Sequence, residues 1–260
     1  MWLVGSEPAS SDVYLGTKLV AAAGPQPWHA VVAGFDDGLA QLEHRLRASR
    51  SGRPRWLHWV RPGQQLWLSG VLCRPFLLTL PAGAASELDL QRIAAATAPA
   101  QTGLDGPCRV WLAPPSGDQA RLVAVASERV LQACAAAIHR AGYHLIGVAP
   151  WWAGVLNAVL DRTATPSLEL LGVRDCDSLT VLAGQAGQFS SAMTRAPLTD
   201  EASAAAAWLR ALSGQPVEPG RSLCVQFDMD AVGRSAAPDA GRAADTGRAA
   251  FGMRWARVQP

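Results

Sequence analysis

Residues 121–150 read RLVAVASERVLQACAAAIHRAGYHLIGVAP, and no other stretch restricts the fold as much. An apolar run from Leu122 to Ala126 ends at Ser127. Glu128 then opens a segment in which Val130, Cys134, Ile138 and Ala141 share one helical face, while Arg129, Gln132, His139 and Arg140 fall elsewhere. The acidic residue suits the positive start of a helix, and Gly142 stands where a left-handed C-terminal cap is wanted. A second apolar run follows at once with Leu145, Ile146 and Val148. Strand, helix and strand in immediate succession predict an α/β crossover unit.

The chain has 260 residues, 49% of them hydrophobic and 17% charged, enough for one large or two ordinary domains with a sizeable core. Its formal net charge is only +2 and the Lys and Arg residues are scattered, so neither a nucleic acid nor an anionic membrane is demanded as a partner. No apolar stretch approaches the roughly 18–20 residues of a membrane helix. The opening MWLVGSEPASSD lacks the basic start and long apolar middle of a signal peptide, so the expected location is the cytoplasm. Five cysteines (Cys73, Cys108, Cys134, Cys176, Cys224) are an odd number without a C-x-x-C pair, which argues for small buried hydrophobes rather than disulfides or zinc. Of the ten tryptophans, Trp56, Trp59, Trp67 and Trp111 sit in apolar runs. Trp151-Trp152, Trp2 and Trp255 are read as core too, with a partner surface as the alternative.

Taken in order, Val13 to Ala23 and Trp28 to Phe35 predict a hairpin around Gly24-Pro25-Gln26-Pro27. Asp36 and Asp37 open a helix with Leu39, Leu42 and Leu46 on one face, and Trp56 to Val60 predicts a strand returning to the same sheet. From Leu66 the order is strand (to Leu80, broken near Cys73-Arg74), helix (Ser86 to Thr97), strand (Arg109 to Leu112), strand, helix, strand. That is the β-α-β-β-α-β arrangement. Trp151 to Arg162 follows as a short helix, and Leu168 to Thr194 alternates like a three-stranded meander with turns at Arg174 to Asp177 and Gly184 to Gly187. A helix from Thr199 to Gly214, a strand from Leu223 to Phe227, a flexible stretch from Asp228 to Gly247 and an edge strand within Phe251 to Val258 complete the reading. A weak echo links Val13 to Ala23 with Leu168 to Ala183, as duplicated halves would leave.

This order, with Ala141-Gly142-Tyr143, Val148-Ala149-Pro150, Leu170-Leu171-Gly172, Thr180-Val181-Leu182 and Gly187, resembles actin-like proteins of bacterial envelope machines. These are the PilM family of type IV pilus assembly and the cytoplasmic part of the GspL family of type II secretion. The resemblance implies an α/β, degenerate actin-like (ASKHA) fold. Residues 1–65 would form a first subdomain, continued by the helix at 151–162. Residues 66–150 would be an inserted ferredoxin-like subdomain, and 163–260 a reduced second subdomain with a flexible 228–248. No membrane helix follows, as expected of a soluble PilM-like chain or of one that ends before such a span.

Actin-like nucleotide sites hold phosphates between two hairpin turns, where glycine admits the backbone N–H groups, a hydroxyl adds a donor and an aspartate in each hairpin anchors hydrated Mg²⁺. The resemblance assigns Gly16, Thr17 and Lys18 to the first turn and Gly172 and Thr180 to the second, as remnants of such a site. Tyr14 and Leu170 stand in the two aspartate positions, so Mg²⁺ has no anchor and ATP is not an expected cofactor. Asp12 lies a pleat away from Tyr14, and Asp175 and Asp177 are expected to cap their own turn. There is no P-loop, G-x-G-x-x-G or G-x-S-x-G, and His139 and His144 read as surface residues. The resemblance therefore implies a scaffold that is not an enzyme. It would bind the short cytoplasmic segment of a bitopic inner-membrane protein, an assembly ATPase, or both, with Phe76, Leu78 and Leu80 as candidate partner-binding residues beside the first turn. The alternative is a working actin-like ATPase or phosphotransferase.

Overall fold

The computed structural model describes residues 12–23, 27–51, 61–80, 86–115, 120–162, 169–185, 188–195, 222–227 and 253–257. Strands β1 (Asp12–Leu15) and β4 (Gly63–Leu68) carry apolar runs rather than alternation, and Val13, Tyr14, Leu15, Leu66 and Leu68 are fully buried. Continuous burial is what a strand covered on both faces requires. The two lie side by side and parallel in a first sheet of order β3-β2-β1-β4-β8, with β2 (Leu19–Ala22), β3 (Trp28–Val31) and β8 (His144–Pro150). Strands β1, β2 and β3 form an antiparallel meander, and β8 runs parallel to β4.

Helices α1 (Phe35–Ser51) and α3 (Glu128–Arg140) pack against one another, and their predicted apolar faces meet the sheet. Leu39, Leu42 and Leu46 of α1 share one core with Cys134, Ala137 and Ile138 of α3 and with the strands. Gly142, at φ +86°, ends α3 and redirects the chain into β8. Helix α4 (Trp151–Arg162) packs against β8 and against β9 (Leu170–Arg174), so a single core runs through both halves of the chain. Trp151 and Trp152 are core residues, not a partner surface. The Trp151 ring meets Tyr14 edge-on, with centroids 6.3 Å apart, and Trp152 donates its indole N–H to the Cys73 carbonyl at 2.8 Å.

The second sheet has the order β11-β10-β9-β12-β13, with β10 (Leu179–Gln185), β11 (Gln188–Arg195), β12 (Ser222–Phe227) and β13 (Met253–Arg257). It repeats the plan of the first: an antiparallel meander, then a strand parallel to the meander's first member. Only the last strand differs, because β13 is antiparallel to β12. The echo between the two halves in sequence corresponds to β1-β2 and β9-β10.

The insertion differs from the expected ferredoxin-like unit over 66–150. The strand read from Leu66 to Leu80 with a break near Cys73-Arg74 is two strands in two sheets, split just before that point by a turn in which Leu72 and Cys73 donate to the Ser69 carbonyl at 3.1 and 2.9 Å. Strand β5 (Cys73–Thr79) leaves β4 and joins a separate antiparallel sheet, β5-β7-β6, with β6 (Cys108–Leu112) and β7 (Ala120–Ser127), covered by α2 (Glu87–Thr102). The outer strands of the supposed unit, β4 and β8, are neighbours in the first sheet, and α3 belongs with α1. Order along the chain is the same in both arrangements. The pairing separates them, since β4 lies between β1 and β8 whereas β5 pairs with β7 at the edge of another sheet and sends Phe76 and Leu78 under α2. Ser86 caps α2 by accepting from Asp89 N–H at 3.1 Å, and Gly103 closes it at φ +66°.

The single strand expected over Val13 to Ala23 is likewise two, because Gly16 to Lys18 turn the chain between β1 and β2, and its expected partner from Trp28 to Phe35 ends as a strand at Val31. The turn centre at Gly24 to Gln26, the strand at Trp56 to Val60, the helix from Thr199 to Gly214, the stretch from Asp228 to Gly247 and Trp2 all lie outside the described residues. Replacing Trp152 by Phe removes the one indole donor that ties α4 to the start of β5 and leaves the buried Cys73 carbonyl short of a partner. The expected loss is about 2–3 kcal/mol in urea unfolding. An unchanged midpoint would show the bond to be idle.

Candidate functional site

Three turns from distant parts of the chain converge at the ends of β1, β4 and β9. In the first, Gly16 N–H donates to Leu19 O at 2.8 Å, which leaves the N–H groups of Thr17 and Lys18 pointing out of the turn. Both are taken by Asp177. Thr17 N–H donates to its Oδ2, and Lys18 N–H to its Oδ1 at 2.8 Å. Asp177 belongs to the turn between β9 and β10, in the other half of the molecule, and is 0% exposed.

Asp175 organises that second turn. Its Oδ1 accepts from the N–H of Asp177 at 2.9 Å, the N–H of Ser178 at 2.6 Å and the Ser178 hydroxyl at 2.9 Å. Its Oδ2 reaches the third turn, after β4, and accepts from Gly70 N–H at 2.8 Å. Two glycines permit this approach. A Cβ on Gly16 would fall inside the Asp177 carboxylate, and one on Gly70 would sit 2.5 Å from both Ser178 Oγ and Thr180 Oγ1.

Burial pushes the Asp175 carboxyl up to about 6, an effect opposed by the Gly70 N–H and reinforced by the Asp177 charge. Tyr14, wholly buried beneath the turns, is held well above its ordinary value by burial and by both carboxylates. Burial, then Asp175 and Asp177, raise the Cys176 thiol to about 12, so it is no nucleophile at neutral pH.

The residues singled out by sequence are divided by the structure. Gly16, Thr17 and Lys18 form an amide cradle. Gly172 does not join it, because it is buried within β9, opposite Val181, three residues before the turn begins at Asp175; Leu170 lies further back in the same strand. Thr180 bonds Thr194 Oγ1 at 2.8 Å and lies near Gly70. Phe76 and Leu78 are 3% and 5% exposed under α2, and Leu80 packs on the same cluster, so these three do not present a wall to a partner. Their alternation feeds a second small core. His139 and His144 are exposed, with His139 Nε2 2.6 Å from Arg61 Nη1. Among the described residues no three of His, Cys, Asp or Glu converge as a metal site.

The bridge to the first turn is the feature that local reasoning misses. Asp175 does cap its own turn, but Asp177 spends both oxygens on a turn 160 residues away. A pair of aspartates in one turn and a Gly-Thr-Lys turn with spare N–H groups were the available signal.

No family model matches the sequence, and no curated protein does. Solved structures do resemble the fold. A Bacteroides thetaiotaomicron protein described as having an actin-like ATPase fold and unknown function superposes with a TM-score of 0.54 over 86% of each chain, at 9% identity. The fold is actin-like. The PilM-PilN type IV pilus biogenesis complex gives 0.51 over 81% of this chain and 67% of that one, at 13% identity. The cytoplasmic domain of EpsL, an inner-membrane component of the Vibrio cholerae type II secretion system, gives 0.46 over 82% and 81%, at 14% identity.

An actin-like fold implies a nucleotide between the two hairpin turns, and here Asp177 joins those turns directly. Both outward amides of the first turn are already bonded to a carboxylate. Tyr14, which the resemblance puts in the aspartate position of the first turn, is a core residue, and Leu170 lies in β9 well back from the second turn.

Because Asp175 has a raised value in the folded protein, its contribution to stability is complete below about pH 4 and is lost as the pH rises through about 6. The Asn variant keeps the Oδ1 bonds but turns an NH₂ toward Gly70 N–H. Asp175→Asn should therefore be least favourable relative to wild type at pH 4, the gap narrowing by up to about 3 kcal/mol by pH 7. Urea unfolding of both proteins across this range checks it, since titrations remote from Asp175 cancel. Parallel curves would contradict it.

Proposed function

We propose that the chain is a non-catalytic cytoplasmic platform of a pilus or secretion machine, an actin-like fold kept for recruitment rather than for hydrolysis. The observation that carries this reading is the state of the first turn. Its amides serve Asp177, and the neighbouring position that would hold Mg²⁺ through its waters is a buried tyrosine. Phosphoryl transfer relies on such a metal and on backbone donors free to follow the developing charge, so the arrangement lacks the main electrostatic device of an ATPase.

The likeness to the PilM-PilN complex supports the choice of machine. The partner we propose is the short cytoplasmic segment of a bitopic inner-membrane protein, bound in an extended form by backbone hydrogen bonds and an apolar contact, and associating the chain with the inner membrane. An assembly ATPase is a second partner of the same platform. With Phe76, Leu78 and Leu80 engaged under α2, the segment has to find other side chains.

Thermal melting separates this reading from a working ATPase. Peptides tiling the cytoplasmic segments of inner-membrane proteins encoded beside this chain should include one that raises the melting temperature. That effect corresponds to about 2.7 kcal/mol when the peptide is at a hundred times its dissociation constant. ATP with Mg²⁺ should leave the transition where it was. A Mg²⁺-dependent shift with ATP, accompanied by phosphate release, would put the enzyme first.

A further inference from the structure

We infer that Asp177 is a built-in ligand: its carboxylate occupies the Gly16–Lys18 amide cradle in place of a phosphate and holds the two halves of the fold together without a nucleotide. The inference rests on the non-catalytic reading and adds how the closed arrangement is maintained.

The geometry has the features of an anion site. Two successive backbone N–H groups, from Thr17 and Lys18, each address one oxygen of the same carboxylate, which is how turns and nests bind oxyanions. The anion is fully buried, and burying a carboxylate is tolerable only where donors replace its water. It is also preorganised, because the Asp175 side chain accepts from the N–H of Asp177 and fixes the turn from within its own half. The same Asp175 reaches Gly70, so the second half grips the first at two points, the β1–β2 turn and the turn after β4. The glycines at 16 and 70 leave room for this internal ligand. A free phosphate would have to expel Asp177, and with it the contact between the halves.

The test is chemical rescue in the full chain. Asp177→Ala should expose the amides of Thr17 and Lys18, so that their hydrogen exchange accelerates roughly tenfold or more, as expected for lost bonds to a charged group. It should also lower the melting temperature. Sodium acetate, a free carboxylate able to enter the vacated cradle, should restore part of that loss in Asp177→Ala beyond sodium chloride of equal ionic strength, and should do nothing for wild type. If Asp177→Ala does not fold, two milder variants take its place. Asp177→Asn retains one acceptor and should accelerate exchange at one of the two amides. Gly16→Ala displaces the carboxylate without altering it and should accelerate both. Amides that stay as protected as in wild type, or an acetate effect no larger than that of chloride, would overturn the inference while leaving the platform reading intact. ATP hydrolysis by wild type would remove the platform reading whatever the exchange data show.

Discussion

Two N–H groups on a tight turn need an acceptor, and the chain supplies it as a buried carboxylate from the opposite half of the molecule. Much of the centre follows from that need. The cradle calls for glycine at 16, the approach of the second turn calls for glycine at 70, and the buried Asp177 calls for a neighbour that fixes its backbone, which Asp175 provides. Tyr14 lies beneath the carboxylates and against Trp151, so the polar contact between the halves is backed by the same aromatic cluster that seats α4. Helix α4 comes close to the sheet because residue 154 is glycine; a Cβ there would stand 2.6 Å from the Trp67 ring. Charge, turn geometry and packing therefore converge on one small region.

A fold of two similar halves around a cleft needs something to hold the halves, and in a nucleotide-dependent protein the ligand can do so. Here two aspartates carry that task. Buried carboxylates held mainly by backbone N–H groups are costly to assemble and specific once assembled, because each oxygen accepts only from groups aimed at it. The price is a first turn with no backbone N–H groups left over. Recruitment, unlike hydrolysis, does not need them.

Much of the fold was legible in the sequence. The faces of α1 and α3 follow from Leu39, Leu42 and Leu46 and from Cys134 and Ile138, and the duplicated meanders are visible in the echo between β1-β2 and β9-β10. The membership of sheets was not legible, because β4, α2, β6, β7, α3 and β8 run in the same order whether the strands enter one sheet or two. Of the site, the turn at Gly16 to Lys18 was found, since glycine and a hydroxyl at a strand end carry local meaning. Gly172 was misplaced because β9 continues to Arg174, so the turn comes three residues later than the motif suggests. The bridge from Asp177 could not be read from spacing, since nothing local ties residue 177 to residue 17.

The insertion has a consequence for how the molecule loosens. Cys73 and Ala126 pair across the point where the chain leaves and re-enters the main body, and the third sheet has two unlike faces. One face, with Leu122, Ala124 and Ala126, is continuous with the central core; the other, with Phe76, Leu78, Val123 and Val125, closes a separate cluster with Leu90, Ala94 and Ala98 of α2. Helix α2 thus closes a small core of its own, the kind of layer whose local opening leaves the rest of a fold intact. Variation in size or shape can accumulate on that outer layer without reaching the turns at the centre, and the fold can be fitted to different surroundings there while its interior stays the same.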